Sequence, residues 1–327
     1  MKMNPSRTHA RAALLALCAL VTGPAIAQGW PDKPVTLFVP FPPGGGTDAF
    51  ARPLSAQLGK QTGKSVVIEN RGGAGGTLGA TQASRAPKDG YSYFLGAVHH
   101  AIAPSVYPKL EYNIEKDFAP ISVVAVVPQV VVVNAERVKA TTLREFIDLA
   151  KREPEKHNYG SAGNGTSHHL AGELFKGLAG VSLQHVPYSG SGPALRDLVG
   201  GQIDSMFDGL GSSAAHIRGG RIRALAVASR GRAPGFPNIP TAAEAGLPGY
   251  EVATWYAIWG INGAPADAHE KMGAEIAKAL ATPELVEAWN SQGAVPGPAT
   301  PKDMAAFVSA EIGRWAKVAK AGNIRID

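Results

Sequence analysis

Two short runs set glycines beside hydroxyl and carboxyl side chains: Gly44-Gly45-Gly46-Thr47-Asp48 and Gly163-Asn164-Gly165-Thr166-Ser167. Glycine lets backbone approach a ligand closely. Thr, Ser and Asp favour helix starts, where the first N–H groups have no partner inside the helix and the dipole favours negative charge. Such a start can hold an anion without arginine. The bland reading is a tight strand–helix turn, and for Thr47 and Asp48 capping and ligand contact are compatible. The first run is not a nucleotide loop, because no Lys-Ser/Thr pair follows its glycines and the G-x-G-x-x-G spacing is absent.

Other residues invite other chemistry. His99-His100 and His168-His169 suggest a metal site. His99-His100 reads as the end of a strand, where neighbours point to opposite faces and rarely share an ion. His168 and His169 begin a helix. No H-E-x-x-H occurs, so no metal site is expected, and these histidines read as structural or ligand-contact residues. Ser161 and Ser191 lie in glycine-rich turns, but neither sits in G-x-S-x-G, and Gly211-Ser212-Ser213-Ala214-Ala215 lacks the final glycine. An exported acyl-transfer enzyme is therefore disfavoured, and no catalytic residue or cofactor is expected. Asp208 ends a strand. It would repel a bound anion unless it accepts from a ligand hydroxyl or ammonium or orders water, and it serves equally well as a cap for a helix near Ser212.

The elements that position these residues alternate. Val35 to Val39 is a β-branched apolar run, and Phe50, Leu54 and Leu58 then recur on one helical face, with Pro53 expected to kink or shorten that helix. Ser65 to Asn70 reads as a second strand. Arg71 to Thr77 is a glycine-rich turn opening a small-residue helix, and Gly90 to Gly96 is a third strand running on into His100. Such β-α-β units imply a parallel sheet covered on both faces, with ligands beyond the carboxyl ends of the strands. Phe118 to Asn134 is valine-rich around Pro128-Gln129 and reads as one long strand broken at the proline, or as two ordinary core strands. A second α/β series follows. Thr142 caps a helix, strands are expected at 158–161, 183–188 and 205–208, 222–229 closes this lobe, and Leu170, Leu174 and Leu178 are expected on one buried helix face. Thr241 is expected to cap a short helix, 252–261 to cross back, and the rest to be helical. A chain that crosses out near 125 and returns near 255 gives two lobes around a cleft.

The N-terminus carries Lys2, Arg7 and Arg11, then an apolar stretch from Ala12 to Val21 and a small-x-small site at Ala25-Ile26-Ala27. Residues 1–27 therefore read as a cleavable secretory signal peptide. A lipoprotein site at Cys18 is disfavoured, because Leu17 is large and the position falls early in the apolar stretch. Cys18 is the one cysteine, which excludes a disulfide framework and a thiolate zinc site after export. The formal charge of +6 includes the three leader cations, and the balance is too mild to argue for nucleic acid.

Along nearly the whole remainder the chain resembles the periplasmic substrate-binding receptors of tripartite tricarboxylate transporters, the Bug family. The motifs that carry the resemblance include Trp30-Pro31-Asp32-Lys33-Pro34, Val39-Pro40-Phe41-Pro42-Pro43-Gly44-Gly45 and Glu69-Asn70-Arg71. They continue with Lys88-Asp89-Gly90-Tyr91, Tyr159-Gly160-Ser161-Ala162-Gly163, His185-Val186-Pro187-Tyr188 and Pro240-Thr241-Ala242-Ala243-Glu244. The resemblance implies an α/β, type II-like periplasmic binding protein. Each lobe would be a mostly parallel sheet flanked by helices: 28–127 with 254–327 in lobe 1, and 128–253 in lobe 2. It further implies capture of a small organic carboxylate. By position, Phe41, Gly45, Gly46, Thr47 and Asp48 would form one wall, and Ser161, Gly165, Thr166 and Ser167 the other. Ala97, His99, Tyr188 and Asp208 lie on loops that could meet the rest of the ligand. The implied partners are membrane permease subunits, for a monomer working in the periplasm. The alternative role is a sensor presenting its ligand to a histidine-kinase ectodomain. Departures stand at Gly72, where the family usually has proline, and at His99-His100, which replaces a segment often small and hydroxyl-rich. Ligand identity therefore does not carry over.

Overall fold

The computed structural model describes residues 29–321 and 324–326, so the leader and Cys18 lie outside the described residues. The chain opens with β1 (Val35–Val39), α1 (Gly46–Thr62), β2 (Val66–Asn70), α2 (Thr77–Ser84), β3 (Ser92–Ala97) and α3 (His99–Val106). β1 pairs in parallel with both β2 and β3. β4 (Phe118–Val133) crosses out of this half. The second half holds α4 (Leu143–Arg152), β5 (Asn158–Ser161), α5 (Ser167–Ala179), β6 (Gln184–Pro187), α6 (Ser191–Val199), β7 (Ser205–Gly209), α7 (Leu210–Arg218) and β8 (Arg223–Val227). β9 (Ala253–Ile261) crosses back, and α8 (Ala266–Leu280), α9 (Pro283–Ser291) and α10 (Pro301–Ala321) follow.

All strands belong to one sheet, in the order β2-β1-β3-β9-β4-β7-β5-β6, with β8 also on β4. The parallel part is three strands in each half. The crossing strands join antiparallel, so the sheet as a whole is mixed. β4 pairs with β9 as far as Pro128 and with β7 from Gln129. The strand runs through Pro128 without a break, which sits where one set of partners gives way to the other. All its valines except the half-buried Val126 are buried, on both faces, because helices cover the sheet on both sides.

α1 runs its full 17 residues despite Pro53. Proline leaves the carbonyl four residues earlier without its helical donor. Here that carbonyl, on Ala49, accepts from the Gln292 side chain. Phe50, Leu54 and Leu58 are buried as their spacing predicts, and Phe50 stacks on Tyr256 and meets Trp289 edge-on.

Three further local expectations fail. The third strand stops at Ala97, and His99-His100 opens α3, so the opposite-face argument for that pair does not apply. On α5 the buried side chains are Leu170, Ala171, Phe175 and Ala179, while Leu174 and Leu178 are exposed. A strict i, i+4 series drifts around a helix of 3.6 residues per turn, and here Phe175 rather than Leu174 reaches the core. Thr241 caps a turn instead of a helix. Its Oγ1 accepts from Glu244 N while Glu244 accepts from Thr241 N, so the capping pair closes one turn that does not propagate.

Candidate ligand-binding cleft

β1 delivers the chain to Pro40, and the loop 41–45 turns it into α1. Gly45 is the N-cap, so Thr47 and Asp48 lie within the first turn and are not caps. Asp48 Oδ2 accepts from Gly44 N at 2.9 Å and from Arg52 Nε at 2.7 Å, and Oδ1 accepts from Asn70 Nδ2 at 3.4 Å. Its carboxylate thus braces the loop from within its own half. The amides of Thr47 and Asp48 have no protein partner among the described residues.

The opposite loop is built alike. Thr166 is the N-cap of α5, where its Oγ1 accepts from His169 N and donates to Gly163 O. Ser161 Oγ accepts from Gly163 N at 3.1 Å and lies 2.6 Å from His185 Nε2. The His185 ring stacks between Tyr159 and His169, and His169 Nδ1 accepts from Gly165 N. Burial pushes the His185 pKa down to about 4, so the stack is held by neutral rings.

The two halves touch, and among the described residues three polar contacts cross the seam. Gly46 N donates to Ser191 Oγ at 3.2 Å, Ser167 N donates to His99 Nδ1 at 3.0 Å, and Tyr107 hydroxyl donates to Asn164 O at 2.7 Å. Because His99 Nδ1 accepts, its neutral ring carries the proton on Nε2. Burial, with His168 and His100 adding to it, holds the His99 pKa well below the usual imidazole value. Phe41 meets the His99 ring edge-on, with centroids 5.0 Å apart. Gly165 packs beside Val106 and Tyr107, and Thr166 beside Gly75.

The structure therefore brings Phe41, Gly45, Gly46, His99, Gly165, Thr166 and Ser167 to one seam, with Thr47 buried next to them. Asp208 is joined to this group through His168, whose ring lies 5.5 Å from that of His99 and whose Nε2 lies 3.6 Å from Asp208 Oδ1. Other named residues are turned to their own half. Tyr188 hydroxyl donates to Asp197, and the Ala97 amide pairs with His100 Nδ1. Asp208 Oδ2 accepts from Ser212 Oγ and Ser213 Oγ, so it does hold the start of α7. Among the described residues no cluster of three or more His, Cys, Asp or Glu is placed to hold a metal.

Ser191, His168 and Tyr256 are also seam residues: the sequence weighs Ser191 only as a nucleophile and His168 only as a metal ligand or a structural or ligand-contact histidine, assigns neither to a wall of the cleft, and does not single out Tyr256. A signal for Ser191 exists, since Ser189-Gly190-Ser191-Gly192-Pro193 is a third glycine–hydroxyl run ahead of a helix. No comparable signal marks Tyr256, whose hydroxyl packs directly on Gly46 from the crossing strand β9.

A family profile described as the tripartite tricarboxylate transporter family receptor matches residues 50–324. The chain belongs to this family. It is 35% identical to Protein BugT of Bordetella pertussis over 320 residues, covering 97% of this chain and 98% of BugT. Rpa4515 of R. palustris, solved with adipate, superposes with a TM-score of 0.87 at 38% identity, over 90% of this chain and 99% of that one. MatC from Rhodopseudomonas palustris, solved with bound malate, gives a TM-score of 0.82 at 35% identity, over 88% and 99%. The tripartite tricarboxylate transporter receptors are solute-binding proteins and not enzymes, so the Ser161–His185 contact belongs to a loop brace. Among the described residues no helix of this receptor is long and apolar enough to cross a membrane.

Proposed function

We propose that this receptor captures a small organic carboxylate between its two halves in the periplasm and delivers it to the permease subunits of a tripartite tricarboxylate transporter. The observation that carries this reading is the meeting of helix starts across one seam, α1 against α6 at Gly46 and Ser191 and α5 against α3 at Ser167 and His99, with the amides of Thr47 and Asp48 lacking a protein partner among the described residues. Unpaired amides at a helix start hold a carboxylate oxygen without a cation. Arg52, the basic neighbour of the loop, is already engaged by Asp48 and more than half exposed. The adipate and malate in the related structures support the same ligand class. In this reading the lobes are 28–127 with 254–327, and 128–253. They close as one monomer by bending β4 and β9, after removal of residues 1–27.

The test is a thermal-shift screen of the chain from Gln28 against mono-, di- and tricarboxylates, aromatic acids and acidic amino acids, repeated after unfolding and refolding to strip carried ligand. A ligand at 100 times its dissociation constant adds about 2.7 kcal/mol of stability. A shifted midpoint for one carboxylate class is the expected result, and a blank across both rounds would overturn the reading. Deleting the gene should abolish uptake of that carboxylate. A lost transcriptional response with uptake intact would instead identify the sensor.

Ser191→Ala removes the acceptor for Gly46 N in the closed form only. One hydrogen bond of about 0.5–1.5 kcal/mol should be lost, weakening ligand binding roughly two- to tenfold. Calorimetric titration reads this directly, and unchanged affinity would show that the contact does not contribute to closure.

A further inference from the structure

We infer that Asp208, together with His168, reads a hydrogen-bond donor on the ligand, so that the receptor prefers carboxylates bearing a hydroxyl or ammonium over their plain methylene counterparts. The inference rests on the carboxylate-receptor reading and adds a substrate class to it.

Asp208 is fully buried at the carboxyl end of β7. One oxygen, Oδ2, accepts from two serine hydroxyls, at 2.6 Å from Ser212 and 2.7 Å from Ser213. The other, Oδ1, is buried and has no partner. Its neighbour His168 is equally buried, and both ring nitrogens and the adjoining Ser167 Oγ are also without partners. His168 Nε2 stands 3.6 Å from Asp208 Oδ1, too far for a hydrogen bond. Buried polar atoms are nearly always satisfied, and four together beside the seam call for a group from outside the protein, which in this reading arrives with the ligand.

The sign of that group follows from Asp208. A carboxylate oxygen accepts only, so a second carboxylate placed against it would be repelled and a methylene would leave it unpaired. A hydroxyl or an ammonium satisfies it. The same small molecule can reach the helix start across the seam, because Tyr256 hydroxyl packs on Gly46 of that loop and lies against Gly209, next to Asp208. His99 Nε2–H supplies a further neutral donor for a ligand oxygen. Burial keeps His168 neutral against the opposing pull of Asp208, so the pair does not satisfy itself as an ion pair.

The experiment compares matched series on the wild-type chain by calorimetric titration: succinate, malate and aspartate, then glutarate, 2-hydroxyglutarate and glutamate. The donor-bearing member of at least one series should bind at least tenfold more tightly than the plain acid, about 1.4 kcal/mol. Preference for the hydroxy acid or the amino acid tells which donor is read. In Asp208→Asn the amide oxygen still accepts from Ser212 and Ser213 while the amide NH2 faces the cleft, so the preference should fall to threefold or less, or invert. Plain acids binding as tightly as their substituted partners to the wild type would overturn the inference while leaving the receptor reading intact. No binding by any of the six would also overturn the inference, and the receptor reading would then be decided by the wider carboxylate screen alone. The wild-type ratio needs no variant to fold, and a folded Asp208→Asn that keeps the tenfold ratio would remove Asp208 from the role.

Discussion

Replacing Gly192 by alanine is expected to weaken carboxylate binding about thirtyfold while leaving the unliganded protein as stable as before. Gly192 sits in the first turn of α6 and packs against the α1 loop across the seam. A Cβ added there would lie 2.6 Å from Pro43 O, 3.0 Å from Gly44 C and 3.1 Å from Gly45 N. All three are backbone atoms, so no flexible side chain can swing away. Overpacking a fitted contact costs about 1–3 kcal/mol, and 2 kcal/mol corresponds to about thirtyfold in affinity. The cost falls on the closed form alone. With the halves apart the new methyl meets solvent, and alanine is the better helix former by up to about 1 kcal/mol. Titration should show the loss, and scattering should show a ligand-saturated variant larger than the saturated wild type. Wild-type affinity in Gly192→Ala would mean that the bound form is more open than the one described here.

Stability should fall steeply as pH drops from 6.5 toward 4. The buried imidazoles of His99, His100 and His168 all have depressed pKa values, with burial as the leading cause, and that of His100 is about 4. In the unfolded chain these rings titrate near 6.5. Above 6.5 both states are neutral and nothing is lost. Below it the unfolded chain takes up protons that the folded protein refuses, so stability declines until the folded pKa is reached. For His100 alone the loss is on the order of 3 kcal/mol by pH 4. Glu145, Glu244 and Glu275 are also lowered, by hydrogen bonds from Thr141, from Thr241 and Arg232, and from Lys278 and Gln61, and Glu173 is lowered against its burial by Lys176 and Tyr159; these carboxyls add to the decline only nearer their own range. Urea unfolding at half-unit steps separates the two windows. A flat unfolding free energy between pH 7 and 5 would contradict neutral buried histidines, and His100→Asn should flatten the slope in that interval.

The alternation of strand, glycine run and helix is legible in the sequence because it is local. Val35 to Phe50 spells out strand, turn and helix within a few residues, and 158–170 repeats the pattern with a true cap at Thr166. The valine-rich stretch at 118–134 announces a strand buried on both faces. What stays hidden is set by partners far away in the chain. His99 meets Ser167 across 68 residues, and Gly46 meets Ser191 across 145. Local pattern carries no information on either. The same holds for Pro53, whose cost to α1 is offset by Gln292 from the far end of the chain. The phase of α5 was misread for a different reason: leucine marks a buried face only on average, and the core took Phe175 instead. Asp48 and Tyr188 are polar residues at suitable loops, yet their side chains are committed to Gly44, Arg52 and Asp197. Residue type alone does not distinguish a brace from a contact.

β4 has a consequence beyond the geometry of the cleft. Its first part completes the hydrogen-bond ladder of one half and its last part that of the other, with no linker between them. Neither half can lose this strand without stripping the other of its central valines. The protein should therefore melt in one cooperative step, as a single thermodynamic unit.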